Sequence, residues 1–405
     1  MRTTTTHARF VCAAAILLGS TSGAMANEDE VYVVELRESA SARGMRFAKP
    51  MVNPASAPDV STLMPDPSPG PYAQGVMTKD GPVHNASAVN KAFGLLGVPY
   101  TATRVEDGRI SVNSKENNRL STTYPYRTVG KLTFAVGNAM ASCSASLIRK
   151  SVIVTAAHCI QDFGAGRERY TNFKFRPAYY GAAGATPEQI APYGTYRAYA
   201  IVVPGSWSDG TDNGLYPVVD NDLAVIALHK RGGKFAGSRV GYLGYGWNNY
   251  GFVSSPNTGN LNTAAVTSLG YPLLLDRGQI MQRTDGPTYT TRIEGALQLM
   301  QGSNTTAGAS GGPWIVNFQS HKPARSGGAR PGRQAVMAVI GVTSWGAPGA
   351  NDPKDNFSSQ FAQNSRYPKA DYGGFGGGNI GSLINTLCRI KAPGGGTLKS
   401  RGYCN

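Results

Sequence analysis

The chain reads as an all-β protein of the sandwich or barrel kind, and three observations predict this. From Thr128 onward, short apolar or alternating runs follow one another: "TVGKLTFAV", "ASLI", "VIVTAA", "YRAYAIVV", "LAVIAL", "RVGYLGYG", "NTAAVTSLGY", "PWIVNF" and "AVMAVIGVTSW". They are separated by Gly- and Asn-rich turns, the spacing of many short strands. A helical period is nearly absent. The exception is "NIGSLINTLCRI", where Ile380, Leu383, Ile384, Leu387 and Ile390 recur at helical spacing and predict a short terminal amphipathic helix.

Taken in order, residues 1–26 carry the pattern of a secretory signal. Arg2 and Arg9 precede the apolar stretch "FVCAAAILLGSTSGAMA", and small residues at 24 and 26 predict cleavage before Asn27. Gly, Ser and Thr interrupt that stretch well short of the roughly 20 apolar residues that a spanning helix needs. Once the signal is removed, the chain is expected to be exported, free of the membrane and monomeric. Residues 27–119 differ in composition. "NPASAPDVSTLMPDPSPGPYAQG" is rich in Pro, Ser and Gly and cannot hold regular structure for long. In a signal-bearing chain this predicts a pro-segment, with "NSKENNRLSTT" as the exposed junction. Residues 120–235 and 236–405 then form the two halves of the body.

Cys12 leaves with the signal, so Cys143, Cys159, Cys388 and Cys404 remain. An even number in an exported chain predicts disulfides, and proximity in sequence favours Cys143 with Cys159 and Cys388 with Cys404. A zinc site fits poorly, because CxxC spacing and a histidine cluster are both missing. No metal or cofactor is expected.

Residues 120–405 hold 27 Lys and Arg against 13 Asp and Glu, a difference of +14, while residues 27–119 hold 10 against 11. No basic run is interleaved with aromatics as a nucleic-acid groove requires, so the charge reads as a solvated surface.

Histidine is scarce, which narrows the search for chemistry. His7 lies in the signal and His84 in the leader, leaving His158, His229 and His321. His158 ends the apolar run of "CSASLIRKSVIVTAAHC" behind two alanines and beside a candidate disulfide. A ring fixed in that way can serve as a general base. Its orienting carboxylate is sought at the edge of an apolar strand. "VVDNDLAVIAL" supplies Asp222, with Asp220 as a same-face competitor. In "NTTAGASGGPWIV", the run Gly308 to Gly312 permits a strained turn around Ser310. The amides of Gly308 and Ser310 are placed to point together at an oxyanion. A later strand ending in Ser344, Trp345 and Gly346 is suited to pair with an extended substrate backbone.

In their order, "TAAHC", "DLAVIAL", "GASGGP" and "SWG" resemble the trypsin-like (chymotrypsin-fold) serine peptidases, over roughly residues 120–390. "YPYRTVGKLTF" is similar to the opening strand of secreted bacterial members, including the glutamyl-endopeptidase-like group. The resemblance implies two six-stranded antiparallel β-barrels with the active site in the cleft between them. It also implies a Ser310–His158–Asp222 triad, an oxyanion hole at Gly308 and Ser310, and protein or peptide substrates. Asn304 falls near the base of the primary specificity pocket, with Thr305 beside it and Gly346 on its wall. No acid lies there, so a preference for Lys or Arg is not implied. Thr343 stands where the glutamyl group usually carries histidine, which leaves cleavage preference open. Ala309 replaces the aspartate that in many members receives the freed amino terminus, so activation is expected to proceed without that pair.

Overall fold

A computed structural model describes residues 32–36, 77–78, 81–82, 100–105, 119–166, 168–254, 262–320, 336–346, 354–369 and 371–405. The predicted signal, most of the leader, His84 and His321 lie outside these residues.

The strands that close the first half are β1 (Val129–Val136), β2 (Ala139–Arg149), β3 (Val152–Thr155), β4 (Thr171–Pro177), β5 (Tyr196–Pro204) and β6 (Ala224–Leu228). Their order is β5–β6–β3–β2–β1–β4, and β4 pairs back to β5, so the antiparallel sheet closes into a six-stranded barrel. Alternation supplies the interior. Leu132 and Phe134 on β1, Ala145 and Leu147 on β2, and Phe173 and Phe175 on β4 point inward and are buried.

The second half repeats the architecture. It consists of β7 (Thr263–Gly270), β8 (Gln282–Ile293), β9 (Ala296–Gly302), β10 (Pro313–Val316), β11 (Ala338–Gly346) and β12 (Asp355–Gln360). The order is β11–β10–β7–β8–β9–β12, and β12 pairs back to β11. This is the predicted pair of six-stranded antiparallel barrels.

A 12-residue helix, α1 (Gly378–Arg389), follows. Its Ile380, Leu383, Ile384 and Leu387 are fully buried in one cluster with Val152 and Val154 of β3, Val202 of β5 and Val225 of β6. The helix thus covers the outer side of the first barrel, although it belongs to the second half in sequence. Strands covered on both faces read as unbroken apolar runs, which is why "VIVTAA" and "LAVIAL" do not alternate. The Cys388–Cys404 disulfide ties the tail back to α1.

"RVGYLGYG" is a difference from the sequence reading. Only Gly244–Tyr245 is a strand, paired parallel with Ala338 and Val339, and Gly237–Val240 is a helical turn. Its apolar residues Val240 and Leu243 are buried between structural layers instead of lying along a strand face.

Parts of the leader pair with both barrels. Tyr32–Leu36 runs parallel to residues 200–204, and Thr101–Arg104 runs antiparallel to residues 282–285 at a free edge of β8. Arg104 forms a two-point ion pair with Asp276, and Val105 is buried in the core.

Candidate active site

The site is assembled from the ends of strands in both barrels. β3 ends at Thr155, and Ala156 and Ala157, both fully buried, allow a tight 3-10 turn that carries His158. Cys159 fixes the far side of this turn through its disulfide to Cys143 on β2. Among the described residues, the closest grouping of metal-ligand types is Cys143, His158 and Cys159. Its two sulfurs are already bonded to each other, so it offers no thiolate pair to a metal.

Asp222 stands just ahead of β6 and is 2% exposed. Its Oδ1 accepts the backbone amide of His158 at 2.9 Å, and its Oδ2 faces His158 Nδ1 at 2.7 Å. Ser344 Oγ donates to the same Oδ2 at 2.6 Å. A carboxylate only accepts, so Nδ1 carries the proton and Nε2 is left with a free lone pair. Burial alone pushes the imidazole pKa down, but the charge of Asp222 and its hydrogen bond outweigh burial, and the net shift is upward from 6.5.

Asp220, two residues away, is turned elsewhere. Its carboxylate accepts from the Leu297 amide at 2.6 Å and from Asn213 Nδ2 at 2.9 Å. Burial raises its pKa. Geometry therefore separates the two candidates that the sequence left side by side. The loop between them is anchored to the second barrel, because the Asp222 amide donates to Ser359 Oγ at 3.0 Å.

Ser310 sits in the turn between β9 and β10. Gly308 has φ +93°, and a Cβ there would lie 2.6 Å from the Tyr271 carbonyl oxygen. Gly311 has φ +77°, and a Cβ would lie 2.1 Å from Thr155 Oγ1 and 2.4 Å from the Ser144 oxygen. Both positions require glycine on conformational and steric grounds. The turn then packs directly on the first barrel.

Ser144 holds it there. Its amide donates to the Ser310 carbonyl at 2.8 Å, and its hydroxyl donates to the Gly308 carbonyl at 2.8 Å. With both carbonyls pinned, the amides of Gly308 and Ser310 take no hydrogen-bond partner among the described residues. Such paired free donors suit an oxyanion. Nothing in the sequence marked Ser144, because a serine in mid-strand carries no local signal. Ala309 is buried, and Gly270 approaches so closely that a Cβ there would lie 3.2 Å from the alanine Cβ.

Two of the predicted specificity residues, Thr305 and Gly346, both approach Asn356. Asn356, which the sequence reading missed, bridges the segment after β9 to the end of β11: its Nδ2 donates to the Thr305 carbonyl at 3.1 Å, and its Oδ1 would lie 2.9 Å from a Cβ on Gly346. Asn304 is half-buried, and its Oδ1 lacks a hydrogen-bond partner among the described residues. Trp345 stacks on Phe357 at 3.9 Å. Trp314 Nε1 donates to Thr343 Oγ1, so the residue in the expected histidine position supports the indole of β10.

His158, Gly308 and Ser310 share the lining of one open groove of about 580 Å3. Two closed barrels with these strand ends at their junction define a class, the trypsin-like proteins. The family described as Trypsin matches residues 120–366 of the 405, and the chain belongs to that family. Glutamyl endopeptidase of Bacillus licheniformis is 26% identical over 207 residues, covering 50% of this chain and 53% of that protein, so the chain spans about half the length of this curated relative. Among solved structures, the protease Anisep from Arthrobacter nicotinovorans aligns with a TM-score of 0.44 at 21% identity, covering 58% of this chain and 91% of its own. A Glu endopeptidase structure aligns with a TM-score of 0.40 at 18% identity, covering 64% of this chain and 91% of its own. No helix among the described residues is long and apolar enough to cross a membrane.

Proposed function

We propose that the protein is an exported serine endopeptidase, made as a proenzyme, that cleaves protein or peptide substrates through an acyl-enzyme. The observation that carries this reading is the hydrogen-bonded His158–Asp222 pair opening on the same groove as Ser310, whose loop keeps two amides free.

In this reading His158 Nε2 takes the Ser310 hydroxyl proton while Oγ attacks the peptide carbonyl. The oxyanion of the tetrahedral intermediate is held by the Gly308 and Ser310 amides. As the C–N bond breaks, His158 returns the proton to the leaving amine. Water then repeats the sequence on the acyl-enzyme. Asp222 keeps the imidazole in the Nδ1–H form and stabilises the imidazolium without becoming protonated. Asn304, Thr305 and the Ser344–Gly346 edge receive the acyl side of the substrate, and the pocket offers neutral polar groups.

The leader is the pro-segment, and its removal near Lys115 to Arg119 unblocks the cleft or completes folding. The Arg119 side chain is largely buried, donates to the Gln189 carbonyl at 2.9 Å and lies over the Tyr180 ring. These contacts favour a cut that leaves Arg119 on the body.

The test is to express the full chain with its signal, assay the medium on casein beside a Ser310→Ala variant, and determine the amino terminus of the processed protein by mass spectrometry. Hydrolysis lost in the variant, with a mature terminus close to residue 119, supports the proposal. Equal hydrolysis by both chains overturns it.

A further inference from the structure

The groove that starts at Ser310 contains a buried cation with no acidic partner. Lys131 lies on β1 between its cross-strand neighbours Ser144 and Arg176, and it is 6% exposed. Its Nζ donates to the Gly278 carbonyl at 2.7 Å and sits 5.0 Å from the centroid of the Tyr179 ring. No carboxylate among the described residues pairs with it, and the charge it senses most is the like charge of Arg176. An ammonium has three donors, of which one is used. A desolvated, unpaired ammonium is costly, and the protein bears that cost at the edge of its active site.

Position shows what would relieve that cost. Lys131 shares the groove lining with His158, Gly308 and Ser310, and Ser142, Cys143 and Leu273 line the same groove. The lining leaves out Asn304, Ser344, Trp345 and Gly346, the acyl-side residues. The groove therefore leads away from the acyl pocket, on the flank where His158 must meet the leaving amine. Phe134, Met140 and Leu273 make it mostly apolar, a setting in which a charge-assisted hydrogen bond is stronger than in water.

We propose that Lys131 is a specificity-determining residue that binds a carboxylate on the leaving-group side of the substrate, about two residues beyond the scissile bond. This rests on the endopeptidase reading and extends it to a substrate class, peptides that carry an acidic group after the cut. The carboxylate comes either from an Asp or Glu side chain or from a free carboxy terminus at that position.

The experiment begins with a parent peptide taken from a cleavage site mapped in casein. Its acyl side is kept constant, and the second leaving-side residue is Glu, Gln or Lys, each followed by further sequence. A second set ends at that residue as a free acid or an amide. Wild-type enzyme is expected to give kcat/KM ratios of about tenfold for Glu over Gln, or for acid over amide, as a hydrogen bond to a charged group implies. The set that shows the ratio identifies the source. Lys131→Gln is expected to bring that ratio to about one. Wild-type ratios near one in both sets would overturn the proposal without reliance on any variant, as would a ratio that survives Lys131→Gln. Failure of the endopeptidase reading looks different: no peptide of either set is cut and Ser310 resists fluorophosphonate, and the inference falls with it.

Discussion

The first barrel is filled with hydrocarbon, whereas the second is filled in part with amides and hydroxyls. Leu147, Ile153, Phe175, Ile201 and Ile226 occupy the first interior. In the second half, Thr288, Gln301 and Ser358 are as deeply buried on the face that carries Ala264, Val266 and Leu299, and Gln301 donates to the Val266 carbonyl. The first barrel presents His158 hydrogen-bonded to Asp222, the base of the proposed mechanism. The second presents the serine turn and a polar pocket. Ser144 and Ser359 reach across and lock the two together. In the proposed mechanism the apolar half thus fixes the histidine–carboxylate pair, while the polar half arranges hydrogen-bond donors around the substrate.

The largest expected effects break the unit that joins the halves. Ser310→Ala and His158→Ala are expected to abolish peptide hydrolysis while leaving the far-UV spectrum intact, because the two side chains act together. Asp222→Asn is expected to lower kcat on the order of 10^4-fold through the wrong imidazole tautomer. Asp220→Asn is expected to be mild, since Asp220 bonds to Leu297 and Asn213 and not to the histidine. Steady-state kinetics on the two asparagine variants decides this, and the reverse ranking would show that the wrong aspartate orients the ring.

Next comes the contact between barrels. Ser144→Ala removes the hydroxyl that pins the Gly308 carbonyl. We expect a loss in kcat of about 10- to 100-fold, below the cost of deleting an oxyanion donor outright, with KM moving less. An unchanged kcat would mean that the glycines alone hold the turn.

The two disulfides offer a controlled comparison, because each closes a loop of the same sequence separation, 16. Replacing either pair with serine is expected to cost about 3 kcal/mol of stability, measured by urea unfolding. Only the Cys143–Cys159 pair borders the histidine turn, so its loss is also expected to lower kcat/KM. Loss of Cys388–Cys404 should leave kcat/KM near wild type.

The pH profile is a smaller effect with a definite sign. In the proposed mechanism His158 must be neutral to accept the Ser310 proton, and Asp222 raises its pKa above 6.5 in spite of burial. The acid limb of kcat/KM for the free enzyme is expected above pH 6.5, with activity gained as pH rises through it. The stabilising interaction has the opposite dependence. It is fully present below the unfolded pKa and is lost as pH rises through the folded one. A limb at or below 6.5 would contradict the charge coupling.

Legibility in the sequence followed the same division. In the first barrel, β1, β5 and β6 were readable because hydrocarbon fills their inward positions, and α1 announced itself through Ile380, Leu383, Ile384 and Leu387. In the second, "QRTDGPTYTTRI", "ALQLMQG" and "DNFSSQ" gave no strand signal, although they form β8, β9 and β12. Their buried positions carry Thr, Gln and Ser, whose burial depends on hydrogen bonds made only in the folded barrel. β4 was missed too, since Asn172, Lys174 and Arg176 break up its two inward phenylalanines. His158, Asp222 and Ser310 could be named from short motifs. The partners Ser144, Ser359 and Asn356 are distant in sequence and chemically ordinary, so only the closed sheets bring them to the site.

The smallest expected effect concerns the amino terminus. Ala309 cannot accept an ammonium, so processed chains beginning at neighbouring residues across 116 to 119, all of which keep Arg119, are expected to have similar turnover. Sharp dependence on one starting residue, abolished by acetylating its amine, would assign the missing aspartate's task to another carboxylate.

The most direct test of the unit spanning both barrels is fluorophosphonate labelling followed by peptide mapping of the processed protein. A single adduct on Ser310 is expected, formed rapidly in the wild type and at least about 100-fold more slowly in His158→Ala, in keeping with the scale of general-base assistance. An unlabelled Ser310, an adduct on a different serine, or labelling of Ser310 at the same rate without His158 would contradict it.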